Sequence, residues 1–186
     1  MFIEAIKMNP IIPALVGTIV GGFISWGTNT TQKKSQTTFN FHREFDSHLM
    51  HESRIKADIF IKLNPNLTLN EMTETYSQDS FHIWQVIKFY RRLWVAIKYK
   101  QVILKLVPDL FGETFMGWYI KYFHEKYIQN PVYRYSQGCE DILNLKKWFD
   151  NHSKKSEMYK WKEFVSKEFE LNSKFKLIPK SSNKLN

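Results

Sequence analysis

Three histidines stand close together early in the chain, His42, His48 and His51, with Glu44, Asp46 and Glu52 among them. Imidazole nitrogens and carboxylate oxygens are donors that zinc and other divalent ions accept. His48 and His51 are three apart and would share a helix face. Their spacing matches no established ligand pattern such as HExxH, and a solvated polar face is the simpler reading. A metal-dependent enzyme built on this trio is the third of three functional readings. Cys139, the single cysteine, excludes a disulfide framework and a cysteine-rich zinc site. As a nucleophile it would need a base and an electropositive pocket, and the sequence identifies neither. Of the seven glycines, Gly17, Gly21, Gly22 and Gly27 fall in one apolar stretch, leaving Gly112, Gly117 and Gly138 scattered. A phosphate-cradling loop or dinucleotide fingerprint needs them clustered, and no GxSxG elbow occurs. No catalytic residue and no cofactor are therefore expected.

The basic residues carry the remaining signal. The formal charge is +9, from 27 Lys and Arg against 18 Asp and Glu, and the last 41 residues hold +6 of it. Lys88, Arg91, Arg92 and Lys98 would form a ridge on one helix. Lys146, Lys147, Lys154 and Lys155 are interleaved with aromatic residues including Trp148, Phe149, Tyr159 and Trp161. Near an anionic leaflet such residues gain about 1 kcal/mol each. The same mixture suits nucleic acid, with cations on phosphates and rings on bases. Only five of the basic residues are Arg, which weakens the case for bidentate phosphate recognition. An anionic lipid surface is the preferred partner, and a nucleic-acid-binding helical protein is the alternative.

The element that would hold these groups at a membrane comes first in the chain. No charged residue lies between Lys7 and Lys33. The strongly apolar part, from Met8 to Trp26, just meets the roughly 20 residues that a span needs. Pro10 and Pro13 would sit in a first helical turn, and Trp26 at the far interface. Ala14, Gly17, Thr18, Gly21, Gly22 and Ser25 form a small-residue stripe containing a GxxxG, which lets two membrane helices approach closely. This stripe is the candidate surface for homo-oligomers or a membrane partner protein. A cleaved signal peptide and a buried hairpin helix are the competing readings. Lys33, Lys34 and Arg43 follow the span, so the positive-inside rule places the C-terminal part in the cytoplasm.

Thr28 to Thr38 reads as a linker or as the same helix continued. Residues 39–63 carry apolar residues in steps of four: Phe41, Phe45, Leu49, then Ile55, Ile59, Leu63. Pro65 ends this pattern, and residues 67–76 read as a loop or short turn. Ser77 or Asp79 would cap the next helix, whose stripe is Ile83, Val86, Tyr90, Leu93 and Ile97, widened by Trp84, Ile87 and Trp94. A face this wide suggests a central helix covered on two sides. Pro108 opens a helix to about Tyr127 with a stripe of Phe111, Phe115, Trp118, Tyr119 and Tyr122. Shorter helices follow at 140–151 and 156–169. No strand alternation or internal repeat is present. The fold expected is all-α, an N-terminal transmembrane helix followed by a bundle of four to six helices. Residues 1–32 hold the anchor (about 8–27), 33–170 a cytoplasmic helical domain, and 171–186 a basic tail.

Three stretches, His51-Glu-Ser-Arg-Ile-Lys-Ala57, Val86-Ile-Lys-Phe-Tyr-Arg-Arg-Leu-Trp-Val-Ala-Ile-Lys98 and Leu110-Phe-Gly-Glu-Thr-Phe-Met-Gly-Trp-Tyr119, resemble a loose family of uncharacterised bacterial proteins. These have one N-terminal membrane helix and a helical cytoplasmic domain. The resemblance covers roughly residues 10–150 and implies no activity. It does imply a single-pass protein of the bacterial inner membrane. The first functional reading is accordingly a non-enzymatic, membrane-anchored interaction or scaffold protein. A defence- or toxin-type membrane effector and a regulatory subunit both fit that outline.

Overall fold

The computed structural model describes residues 11–154 with 160, 161 and 163, and side chains from residue 28 onward. The described residues are all-helical, without a strand. Helix α1 (Ile11–Phe45) is one unbroken rod of 35 residues. The Thr28 to Thr38 stretch is thus a helical continuation and not a flexible linker. The rod ends because Ser47 turns the chain and caps the next helix. The Ser47 backbone is extended (φ −62°, ψ 149°), and its hydroxyl accepts from the Met50 N–H at 3.3 Å. The 39–63 pattern is therefore two helices, with α2 spanning His48–Leu63.

A second difference concerns which side of α2 is buried. The inward residues are Met50, Ser53, Ala57 and Ile61. Leu49, Ile55, Ile59 and Leu63 face outward, with Leu49 68% and Leu63 71% exposed. Both sets have helical spacing, so periodicity alone could not choose between them.

Helix α3 (Leu69–Thr75) occupies what reads as a loop in the sequence. A capping box forms it: the Thr68 hydroxyl accepts from the Glu71 N–H, and the Glu71 carboxylate accepts from the Thr68 N–H at 2.7 Å. Helix α4 (Ser77–Lys98) follows almost at once, from Tyr76 with no side-chain cap in place of the expected Ser77 or Asp79. It closes with Lys100 in the left-handed region (φ 53°). There the Lys100 N–H donates to the Ile97 carbonyl at 2.9 Å and the Gln101 N–H to that of Ala96 at 2.8 Å, a Schellman closure.

Helix α4 is central as expected, packing against α2, α3 and α6. Its Phe89, Tyr90 and Leu93 are almost fully buried. Phe89 and Tyr90 join Phe45, Phe111 and Phe115 in a run of edge-on and tilted ring contacts with centroids 5.1–6.3 Å apart, the spacing aromatic quadrupoles favour.

A 3₁₀ turn (Leu104–Leu106) leads into α5 (Val107–Trp118), with Pro108 in its first turn. The helix then becomes a π-helix over Tyr119–Ile128, closed by the Gln129 N–H on the His124 carbonyl at 3.1 Å. Bonding five residues back under-winds the chain. The buried residues are consequently Tyr122, Phe123 and Tyr127, while Tyr119 is only half-buried. Helix α6 (Gln137–His152) is capped by Ser136, whose hydroxyl accepts from the Cys139 N–H at 3.2 Å. Lys160, Trp161 and Glu163 are helical. The rest of the expected 156–169 helix lies outside the described residues, as does the 171–186 tail.

Among the described residues, no helix is long and apolar enough to cross a membrane. The apolar stretch from Met8 to Trp26, and with it the side chains of Ala14, Gly17, Thr18, Gly21, Gly22 and Ser25, lies outside the described side chains.

Candidate functional site

Helix α2 and the α5–π rod run in the same direction. Phe45, just ahead of α2, meets Phe111 with ring centroids 5.6 Å apart. Farther on, the Tyr122 hydroxyl donates to Asp58. Beyond that, the Lys126 ammonium donates to the carbonyls of Pro65 and, at 3.0 Å, Leu67. Between the two rods is a cleft of about 420 Å³, within the range of small-molecule sites.

Its α2 wall presents His51, Arg54, Ile55 and Asp58; its other wall presents Glu113, Gly117, Trp118 and Lys121. Trp161 closes one side. Two glycines shape the cleft. The Trp161 indole lies directly on Gly112, where a Cβ would overlap the ring. A Cβ on Gly117 would meet no atom of the described residues within 4 Å.

The charges in the cleft differ in how they are compensated. Asp58 pairs with Lys62 at 2.7 Å in addition to its Tyr122 bond. The Arg54 guanidinium lies over the Phe45 ring, 3.9 Å from its centroid. Among the described residues, neither Arg54 nor Glu113 forms an ion pair.

The histidine trio is not assembled: among the described residues, no three His, Cys, Asp or Glu side chains converge as metal ligands. His42 pairs with Asp46 at 2.8 Å, while His48 and His51 are exposed on α2.

The basic set divides in two. Arg91 reaches across to α6, where its Nε is 3.2 Å from buried Asp141, which also accepts from Gln137 at 3.1 Å. Arg92 pairs with Glu44, and Lys146 pairs with Asp150 and lies 5.8 Å from the Tyr119 ring centroid. Lys88, Lys98, Lys147 and Lys154 are exposed. Lys155 lies outside the described residues.

Cys139 is fully buried, and its thiol donates to the Tyr127 carbonyl at 3.4 Å. Burial pushes its pKa up, so the nucleophilic thiolate is disfavoured. Tyr90 is also fully buried, its hydroxyl has no partner among the described residues, and burial pushes its pKa far above the phenol range.

The sequence reading missed the cleft because its walls come from segments far apart in the chain. Gly112 and Gly117 were the available signal. Glycine inside a helix costs about 1 kcal/mol relative to Ala and calls for a packing or functional reason. No protein-family model matches the chain, and no curated protein or solved structure is significantly similar to it. The chain's own geometry carries the functional argument.

Proposed function

We propose that this protein is a non-enzymatic, single-pass, membrane-anchored interaction protein whose helical domain lies on the cytoplasmic side. The observation that carries this reading is the continuity of α1. The backbone that begins in the uncharged apolar stretch continues without a break into the core of the bundle. Thr28, Asn29 and residues 31–33 are exposed, whereas Thr38 is fully buried. The Thr38 hydroxyl accepts from the Ile103 N–H at 2.8 Å and donates to the Lys34 carbonyl at 2.7 Å. An anchor on this rod would hold the domain about 15 Å from the interface, at 1.5 Å per residue, in a fixed orientation. A flexible linker would fix neither.

Two surfaces suit contacts there. Lys88, Lys98 and Lys147 are exposed cations that favour an anionic leaflet. Leu49, Ile55, Ile59 and Leu63 give α2 an exposed apolar face suited to a protein partner. Assembly would run through the stripe containing Gly17 and Gly21.

Disulfide-free chemical crosslinking in membranes tests the assembly. Gly17→Ile and Gly21→Ile should reduce the crosslinked oligomer, and an unchanged yield would contradict assembly through the stripe. Vesicle co-sedimentation tests the lipid contact. Binding to anionic vesicles should fall with salt, and salt-sensitive binding to DNA or RNA with none to vesicles would replace this reading by the nucleic-acid one.

A further inference from the structure

The cleft between α2 and the α5–π rod holds two charges of opposite sign that the described residues leave uncompensated. Arg54 is half-buried on one wall. Its guanidinium is positioned by the Phe45 ring and not by a carboxylate. Three of the other four arginines, Arg43, Arg91 and Arg92, bind a side-chain oxygen, and Arg134 lies over exposed Tyr135. A guanidinium stacked on a ring keeps its planar fork of donors free and pre-oriented for an anionic group.

Glu113 lies on the opposite wall and is exposed. It does not pair with Arg54, although both line the same cleft. Glu113 follows Phe111 by two residues, and the Arg54 guanidinium, stacked on Phe45, lies toward the same Phe45–Phe111 end of the cleft, so a ligand would meet both charges there. Asp58 contributes little field of its own, being neutralised by Lys62. The rest of the lining includes the indoles of Trp118 and Trp161, the backbone at Gly117, and His51, Thr114, Tyr122 and Lys121. Indole faces attract ammonium groups, most strongly when these are desolvated.

We propose that this cleft binds a small zwitterion. Its phosphate or carboxylate meets Arg54, its ammonium points toward Glu113, and its body lies against Trp118 and Trp161. Glu113 excludes polyanions from the same space, since a second negative group would meet the carboxylate. The inference is independent of the anchor. The zwitterion is either a free solute or the headgroup of a lipid.

The test titrates phosphocholine into the full chain held in a nonionic detergent, followed by tryptophan fluorescence and calorimetry. Saturable binding is expected. Arg54→Gln should weaken it by about tenfold or more, a loss of about 1.4 kcal/mol or more. Glu113→Gln, at an exposed position, should weaken phosphocholine and should not weaken, but rather strengthen, the binding of inorganic phosphate. Phosphatidylcholine vesicles distinguish the two sources. Vesicle binding that is also lost in Arg54→Gln identifies a lipid headgroup, and phosphocholine binding without vesicle binding identifies a solute. The proposal is overturned if neither phosphocholine nor glycine betaine binds. Binding that is equally tight in Arg54→Gln overturns it too, as does vesicle binding without any binding of the soluble compounds.

Discussion

Replacing Gly112 and Gly117 with alanine should have opposite effects, although both glycines lie in the same helix. Ala is favoured over Gly in a helix interior by about 1 kcal/mol. At Gly117 no described residue opposes that gain, because the new methyl group meets none of their atoms within 4 Å. Gly117→Ala should therefore stabilise the protein by roughly 0.5–1 kcal/mol. At Gly112 the methyl group falls on the Trp161 indole, overlapping Cη2 and lying 3.0 Å from Cζ3 and 3.1 Å from Cζ2. Forcing a buried contact apart costs about 1–3 kcal/mol, and expelling a buried Trp approaches 3–5 kcal/mol. Trp161 is only 9% exposed, so its seat on α5 is worth a substantial part of that range. The two variants should differ by about 2–4 kcal/mol. Urea unfolding gives the difference from the midpoints at constant slope. In a Trp161→Ala background the penalty at Gly112 should vanish, leaving the same small gain as at Gly117. Equal stability of the two single variants would refute the close approach of Trp161 to Gly112.

Three further outcomes are expected. Thr38→Val should cost about 1–3 kcal/mol, because it leaves the part-buried Ile103 N–H without its acceptor; an unchanged urea midpoint would show that the contact does not tie α1 to the bundle. Tyr90→Phe should be neutral or stabilising by about 1 kcal/mol, since the buried hydroxyl it removes has no partner among the described residues; a loss of stability would reveal one. Hydrogen bonds from the Thr68 backbone and hydroxyl hold the Glu71 carboxyl below its ordinary pKa of 4.5. The capping box is then fully formed above pH 4.5 and lost as the pH falls through the lowered folded-state value. Amide protection over Leu69–Thr75 should decline in acid, and Glu71→Gln, which removes the titrating group, should abolish that pH dependence.

Where one local signal dominated, the sequence was legible. Pro108 marks the start of α5, the apolar spacing from Ile83 to Ile97 marks the central helix, and Phe111, Phe115, Trp118 and Tyr122 are buried as their spacing implies. Where two signals competed, it was not. On α2, Ile55, Ile59 and Leu63 form a better apolar stripe than Met50, Ser53, Ala57 and Ile61. The second set nevertheless faces α4, because small Ser53 and Ala57 allow the helices to pack closely. Thr68 and Glu71 are a readable capping box, but the seven-residue helix they start is too short to show periodicity. The π register has no such marker: under-winding appears only in which aromatics turn inward, Phe123 and Tyr127 in place of Lys126. The cleft lay beyond sequence reasoning because Arg54, Glu113 and Trp161 meet only through tertiary packing.

Membrane anchorage through the start of α1 is the central claim, and fractionation of cells expressing the full chain tests it most directly. The protein should sediment with membranes, resist extraction by high salt and alkaline carbonate, and be released by detergent. A chain lacking residues 1–27 should lose that behaviour. Recovery of the full chain in the soluble fraction without detergent would contradict the account.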